Sequence, residues 1–409
     1  MLAILYDADA FPVMQLLEAA GDVARLIWVA DGSAPESFHT LTLLARLGKV
    51  VDVAGRTPGE IAAALRDAGC GGLIAFTDNW LRPGAEIALE LGVRFHTPDV
   101  AEVLTDKLLQ RQRLAASGIA VPAFATIPAA PSEEQLSAAL AAVPLPAVLK
   151  PRAGSASRDT SHIEDAGDLG HALAGSATDG GGGWLLEQFL PAAATDTDRP
   201  WSDVMSVESI VQRGECRHVT TCGRFPFAPP FRDTGGFLPA ALTAAELGAA
   251  EEMAAAAIAA LGVSDGVCHT ELKITPTGPR IIEVNGRVGG HVPELLAMVD
   301  GPPLIEWAMR IAMGQALAPR AFTPRAVAYF LCEQSPVEAH EVDAISGLNR
   351  TLELDGVTQI RPRKLAGSPV DWRAGATDYV YAVEGTAPDH ATLWQRREQI
   401  MAAVEVSYA

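Results

Sequence analysis

Cysteine is scarce in this chain and carries no pairing pattern. The five residues, Cys70, Cys216, Cys222, Cys268 and Cys332, form no close pair and no zinc-ligand spacing. That argues against a disulfide scaffold and a structural zinc site, and free thiols fit a reducing compartment. Long hydrophobic runs are also missing. No apolar stretch reaches the roughly 20 residues of a membrane helix, and the Ala-rich run Met253–Leu261 follows Glu246, Glu251 and Glu252 as in an ordinary helix. The N-terminus, MLAILYDADAF, is too short and too acidic for a secretion signal, so the expected location is cytoplasmic, away from any membrane. Positive charge is in deficit: 31 Lys and Arg stand against 50 Asp and Glu, a net charge of −19. A nucleic-acid partner is thereby disfavoured, and any local cluster of basic residues becomes more informative. Two nucleotide-binding signatures are absent as well. No GxGxxG follows the first strand, and no Gly-Lys-Ser/Thr closes a phosphate loop.

What is present is an ordinary globular composition, 49% apolar and 20% charged, over 409 residues, enough for two to four domains. Residues 1 to about 100 alternate strands (Ala3–Tyr6, Ala24–Val29, Lys49–Val53, Gly72–Phe76) with helices (Phe11–Ala20, Ser37–Leu47, Gly59–Asp67, Pro83–Leu91). That alternation predicts a parallel sheet covered by helices on both faces. A single helical stretch, Asp99–Gly118, follows and carries Lys107, Arg111 and Arg113, read by itself as a solvated basic face. The strand ending Val148-Leu149-Lys150 runs into PRAGSASRDTSHIED. The small residues of that loop let backbone N–H groups approach an anion, and Arg152 and Arg158 flank it. Further on, Gly180–Gly183 reads as a connector, Trp184–Phe189, Val204–Gln212 and His218–Cys222 as strands, and Phe225–Pro239 as an aromatic-rich loop. Pro319–Arg325 reads as a boundary before a small α+β unit with a helix near Asp343.

The stretch Val267–Gly290, VCHTELKITPTGPRIIEVNGRVGG, carries the most chemistry. Pro276, Thr277, Gly278 and Pro279 are turn residues between two apolar-alternating strands. Symmetric pairing about Thr277 sets Ile274 opposite Arg280, Leu272 opposite Ile282, and Glu271 opposite Glu283. Like charges directly opposed across strands destabilise a sheet, and a divalent cation relieves them. Asn285 adds an amide oxygen on the same face, and Arg287 a guanidinium suited to phosphate. This set reads as a magnesium–nucleotide site.

Five segments in this order, TDKLLQRQRLAASGIAVP, VLKPRAGSASRD, LLEQFL, MSVESIVQRG and HTELK followed by IIEVNGRVGG, resemble the ATP-grasp superfamily over nearly the whole chain. Within it the chain looks most like the carboxylate–amine ligases of the L-amino-acid (dipeptide) ligase group. The resemblance implies an α/β ATP-grasp architecture: an N-terminal parallel α/β domain (1–100), a two-lobed α+β grasp, one lobe bearing the glycine-rich lid (101–185) and the other the magnesium site (186–320), and a small C-terminal α+β domain (321–409). It implies ATP and Mg2+, with Mn2+ as a substitute, as cofactors. Small-molecule carboxylate and amine substrates are implied as partners, and a homodimer as the assembly. Lys107 and Lys150 match the phosphate-facing lysines, and Gly154, Ser155 and Ser157 the lid. Glu187, Gln188 and Leu190 match the hinge that brackets adenine. Glu271, Glu283 and Asn285 match the metal ligands, and Arg287, with Lys150, matches the group contacting the transferred phosphoryl. On the substrate side stand Glu208, Asp233 (often Glu in relatives), Arg287, Gly289, Gly290 and His291, the last either a substrate contact or a packed, capping histidine. The family's ribose carboxylate is replaced by Val204, which makes neighbouring Asp203 the candidate for that contact. The implied reaction is ADP-forming ligation through an acyl phosphate. A thiol, carrier-protein or phosphoribosyl-type acceptor, and a non-catalytic nucleotide-binding protein, are the alternatives.

Overall fold

The computed structural model of the protein describes residues 1–7, 10–33, 37–176, 182–193, 200–319 and 322–409. The connector at Gly180–Gly183 and the boundary at Pro319–Arg325 lie partly outside these residues. Strands β1 (Leu2–Leu5), β2 (Leu26–Ala30), β3 (Lys49–Asp52) and β4 (Gly72–Ala75) alternate with helices α1 (Val13–Ala20), α2 (Ser37–Leu47), α3 (Pro58–Asp67) and α4 (Leu81–Leu91). All four strands pair in parallel, in the order β3-β2-β1-β4. Strand β1 shows why both faces are covered. Leu2 and Ile4 join one core, with Leu16 and Trp28, while Ala3 and Leu5 join another, with Ile61 and Leu65. The winding order of the strands switches between β1 and β4, so their C-terminal ends flank a crevice of the kind that receives ligands. Asp78, just past β4, begins a 3-10 turn there.

Where the sequence reads as one helix over Asp99–Gly118, the structure has two, α5 (Pro98–Thr105) and α6 (Lys107–Ala116). The break is Asp106, in extended geometry, whose carboxylate accepts from the backbone N–H groups of Leu108 (2.9 Å) and Leu109 (3.3 Å). Aspartate caps a helix start far better than it continues a helix. The interruption makes Lys107 the first residue of α6. Strands β5 (Phe124–Ile127), β6 (Ala147–Pro151), β7 (Ser161–Ile163) and β8 (Trp184–Gln188), with helices α7 (Glu133–Ala142) and α8 (Ala166–Gly175), build an antiparallel sheet of order β5-β8-β6-β7.

The remainder is organised by one eight-stranded sheet. Its members are β9 (Val204–Gln212), β10 (Glu215–Arg224), β11 (Gly235–Leu238), β12 (Gly266–Thr275), β13 (Gly278–Asn285), β14 (Val327–Cys332), β16 (Val357–Pro362) and β17 (Tyr381–Ala387), in the order β13-β12-β9-β10-β11-β14-β17-β16. Strand β15 (Val342–Ser346) pairs separately with β18 (Glu405–Tyr408). Helices α9 (Ala244–Leu261), α10 (Val292–Met298), α11 (Leu304–Ala312) and α12 (His390–Ala403) complete the chain. Two sequence expectations are corrected here. The segment Phe225–Pro239 is not all loop: β11 lies inside it, its backbone paired to β10 on one side and β14 on the other. The residues around Asp343 form β15 rather than a helix, because the C-terminal strand supplies ladder partners that local periodicity does not reveal. Among the described residues, no helix is long and apolar enough to cross a membrane.

Candidate active site

A cleft of about 540 Å³ opens between the β5–β8 sheet and the large sheet, roofed by the loop 152–160. The hairpin β12–β13 forms its floor. Its register differs from symmetric pairing near the turn: Ile274 pairs with Pro279, Lys273 with Arg280 and Leu272 with Ile281. A bulge then inserts Ile282, after which Glu271 faces Glu283 and His269 faces Asn285. The extra residue shifts the register by one, so the carboxylate pair is opposed only because of the bulge. The carbonyl at the bulge, Ile282 O, accepts from Arg111 Nη2 at 2.5 Å.

Arg111 is 1% exposed, so the reading of α6 as a solvated basic face fails at this residue. Its Nε lies 2.5 Å from Glu187 Oε1, and Lys150 Nζ lies 2.5 Å from Glu187 Oε2. Burial alone would raise the Glu187 carboxyl, but Arg111 and Lys150 outweigh it and hold the group at about 2. The Glu187 carboxylate is thus a strut between α6, β6 and β8. Lys107 Nζ reaches both Glu283 Oε1 (2.9 Å) and the carbonyl of Gly154 in the roof (2.6 Å). Arg152 anchors the base of that roof on Asp106, Nη2 to Oδ2 at 2.5 Å.

Behind the floor lies a buried relay. Glu208, fully buried, accepts from Ser206 Oγ (2.8 Å) and from His269 Nδ1 (2.7 Å), and His269 Nε2 reaches Glu271 Oε1 at 3.2 Å. Desolvation by itself would lower the imidazole, yet the carboxylates on both ring nitrogens raise it to about 9. Glu271, although also penalised by burial, is held at about 2 by His269, with Arg224 and Arg287 beyond. Arg287 donates from Nε (3.0 Å) and Nη2 (2.8 Å) to Asp78 Oδ2, so the parallel domain reaches into the site through the turn after β4. Arg224 pairs with Asp233, Nε to Oδ2 at 3.0 Å.

Of the residues nominated from sequence, Lys107, Lys150, Gly154, Ser155, Ser157, Glu187, Gln188, Leu190 and Asp203 line this one cleft, as do Asp233, Glu271, Glu283, Asn285 and Arg287. Glu208, Gly289, Gly290 and His291 do not. Glu208 sits one layer deeper, bonded to His269. A Cβ on Gly289 would come within 2.4 Å of His269 Nδ1 and 3.0 Å of Glu208 Oε2, so this glycine packs against the relay, while Gly290 is exposed. His291 stacks on Phe330 at 3.8 Å between ring centroids, and burial together with Arg361, Arg224 and Arg363 lowers it to about 4. It precedes α10 without a side-chain cap bond, and packing is what the structure shows for it.

Seven cationic and five anionic side chains line the cleft. A chain of net charge −19 therefore gathers a local excess of positive charge at this one cavity, the electrostatics a polyphosphate requires. Glu271, Glu283 and the amide of Asn285 offer hard oxygen donors, with the Asn285 nitrogen engaged on the carbonyl of His269 at 3.4 Å. Among the described residues no cluster of three or more His, Cys, Asp or Glu is arranged around a metal point. Two carboxylates plus an amide suit a magnesium ion that draws its remaining ligands from phosphate and water.

Comparison with solved structures agrees with this architecture. An L-amino acid ligase from Bacillus licheniformis superposes with a TM-score of 0.77 at 17% identity, covering 100% of this chain and 98% of that one. The chain has the ATP-grasp fold. No family model matches the chain. An uncharacterized protein of Sinorhizobium fredii, y4rH, is 27% identical over 365 residues, 85% of this chain and 67% of that protein. Carnosine synthase 1 of Gallus gallus is 30% identical over 190 residues, 43% of this chain. The chain spans only 20% of that synthase's length.

Proposed function

We propose that the protein is an ATP-dependent carboxylate–amine ligase that joins an amino acid, or a similar carboxylate, to an amine and releases ADP and phosphate. One observation carries this reading: the opposed pair Glu271 and Glu283, with Asn285 and Arg287, shares a cleft with Lys107, Lys150, the small-residue roof and the hinge strand β8. Simple nucleotide binding does not call for such a full phosphoryl-transfer set. The names of the L-amino acid ligase and carnosine synthase relatives point the same way.

In this reading a carboxylate oxygen of the first substrate attacks the γ-phosphorus of ATP. An O–P bond forms, the bond to the β-phosphate oxygen breaks, and ADP leaves. The amine of the second substrate then attacks the acyl carbon, phosphate departs, and the amine loses its proton. Such chemistry asks the protein mainly for positioning and charge neutralisation. Glu271, Glu283 and Asn285 would hold a magnesium ion, which would supply charge neutralisation at the triphosphate. Lys107, Lys150 and Arg287 stabilise charge on the transferred group. The roof around Gly154–Ser157 keeps water from a phosphorylated carboxylate that would otherwise hydrolyse. An α-amine with a pKa near 8 is already partly neutral at pH 7, so no strong general base is needed. Asp203 lines the cleft beside Val204, and in this reading it takes the ribose contact.

The test is to incubate the protein with ATP, Mg2+ and pooled amino acids, to measure ADP and phosphate, and to resolve products by mass over a matrix of amino-acid pairs. Release of ADP and phosphate stimulated by particular pairs, with a condensed product, supports the reading. No stimulation by any amino acid counts against it, and AMP as the product excludes the acyl-phosphate route.

A further inference from the structure

The C-terminal part of the chain carries no residue nominated from sequence, yet it touches the cleft at two points. The first is the roof. Gly154, Ala156, Ser157 and Asp159 all have positive φ, and three of these are not glycine. Such backbone persists only where neighbours over-determine it. The neighbour here is the segment 373–376. Ala376 N–H donates to Ala156 O at 2.8 Å, Asp159 N–H faces Arg373 O at 3.4 Å, and Arg373 Nε donates to Gly175 O at 2.8 Å. Gly375, at φ 78°, makes this approach attainable, since a Cβ there would lie 2.1 Å from Ala156 O. The second point is the substrate-side loop that carries Asp233. Both points meet at one side chain. Gln334 is 7% exposed, and its Nε2 donates to Asp233 O (2.7 Å) and to Ala376 O (2.9 Å), while its Oε1 is buried without a hydrogen-bond partner. A single amide thus bridges the dock of the roof and the loop whose Asp233 holds Arg224.

We infer that Gln334 is a positioning residue that couples seating of the roof on residues 373–376 to placement of the Asp233 loop, so that the cleft shuts over nucleotide only when its substrate side is formed. Its consequence for turnover rests on the ligase reading; the coupling itself does not. Because coupling is reciprocal, nucleotide seated under the roof should also order the Asp233 loop.

The experiment is hydrogen exchange read by mass spectrometry on peptides covering 154–160 and 225–236, with and without MgADP, in the full chain. In the unaltered protein MgADP slows exchange in both segments. In Gln334→Leu, which keeps the volume and removes the donors, MgADP still protects 154–160 but no longer protects 225–236. Basal exchange rises about tenfold in both, the order expected for two lost hydrogen bonds. Gly375→Ala loosens 154–160 directly and serves as a second handle if Gln334→Leu folds poorly: MgADP protection of 225–236 then falls with that of 154–160. Equal MgADP protection of both segments in Gln334→Leu and in the unaltered protein overturns the inference. So does a Gly375→Ala chain whose 225–236 segment keeps full protection. If no amino acid stimulates ADP release from the unaltered protein, the ligase reading falls and the exchange result still decides the coupling.

Discussion

Replacing Arg111 with methionine separates the structural account from the bland reading of α6. A solvated arginine on a helix face changes stability by at most about 0.5 kcal/mol when replaced. The structure puts this guanidinium 1% exposed, with Nε 2.5 Å from Glu187 and Nη2 2.5 Å from the bulge carbonyl of Ile282. Methionine fills much of the same volume and satisfies neither partner. Removing one member of a buried ion pair costs about 3–5 kcal/mol, and a charge-assisted bond to a carbonyl adds about 1.5–3 kcal/mol. Lys150 stays on Glu187 at 2.5 Å and recovers part of the first figure, so the expected loss is about 3–5 kcal/mol. The assay is urea unfolding of the single variants Arg111→Met and Glu187→Gln and of the double variant. Because the two side chains touch, the double variant should be more stable than the sum of the single losses predicts, by about 1–3 kcal/mol. MgATP binding should weaken in Arg111→Met as well, since the strut joins hinge and floor. A loss below about 1 kcal/mol, or strict additivity in the cycle, refutes the claim that Arg111 braces the hinge against the bulge.

Glu283→Gln and Arg287→Ala should each abolish amino-acid-stimulated ADP release while the circular dichroism spectrum stays close to that of the parent; near-normal turnover in either removes the site assignment. Gly289→Ala should lower stability by about 1–3 kcal/mol, as overpacking does, because its methyl would meet His269 Nδ1 at 2.4 Å; an unchanged melting temperature would show that the turn shifts freely. Glu187 is held at about 2 when folded, below an ordinary carboxyl near 4.5. Its contribution is therefore fully present above about pH 4.5 and is lost as pH falls toward 2, on the order of 3 kcal/mol in total. The stability difference between the parent and Glu187→Gln, measured by urea at several pH values, should shrink over that window and stay flat above it.

The sequence discloses this site unevenly, for physical reasons. Where function is encoded within one hairpin it is legible: Glu271, Glu283, Asn285 and Arg287 follow from strand alternation, and even the bulge does no harm because it restores the opposition of the two carboxylates. Lys150 and the small-residue roof are legible from a strand running into Gly and Ser. What stays hidden are contacts whose partners lie far along the chain. Arg111 meets Glu187 across 76 residues and Ile282 across 171, and Asp78 meets Arg287 across 209. No local pattern marks Asp78, His269 or Arg224 as neighbours of the candidate site. The same limit explains the two corrected elements. Strands β11 and β15 are short, and what makes them strands is the ladder partner, β14 or β18, rather than their own composition.

The eight-stranded sheet has a consequence for anyone who would cut or recombine this protein. Strand β11 hydrogen-bonds to β14, so the covalent order of the chain and the order of the ladder disagree about where one part ends. A protein shortened before β14 would keep Lys107, Lys150, Glu187, Glu271, Glu283, Asn285 and Arg287 of the cleft. It would also expose an unpaired strand edge, an invitation to association with other chains, and lose the seat of the roof at 373–376. Chimaeras should therefore carry residues 225–238 and the segment from β14 to the last residue together, as a single transplanted piece.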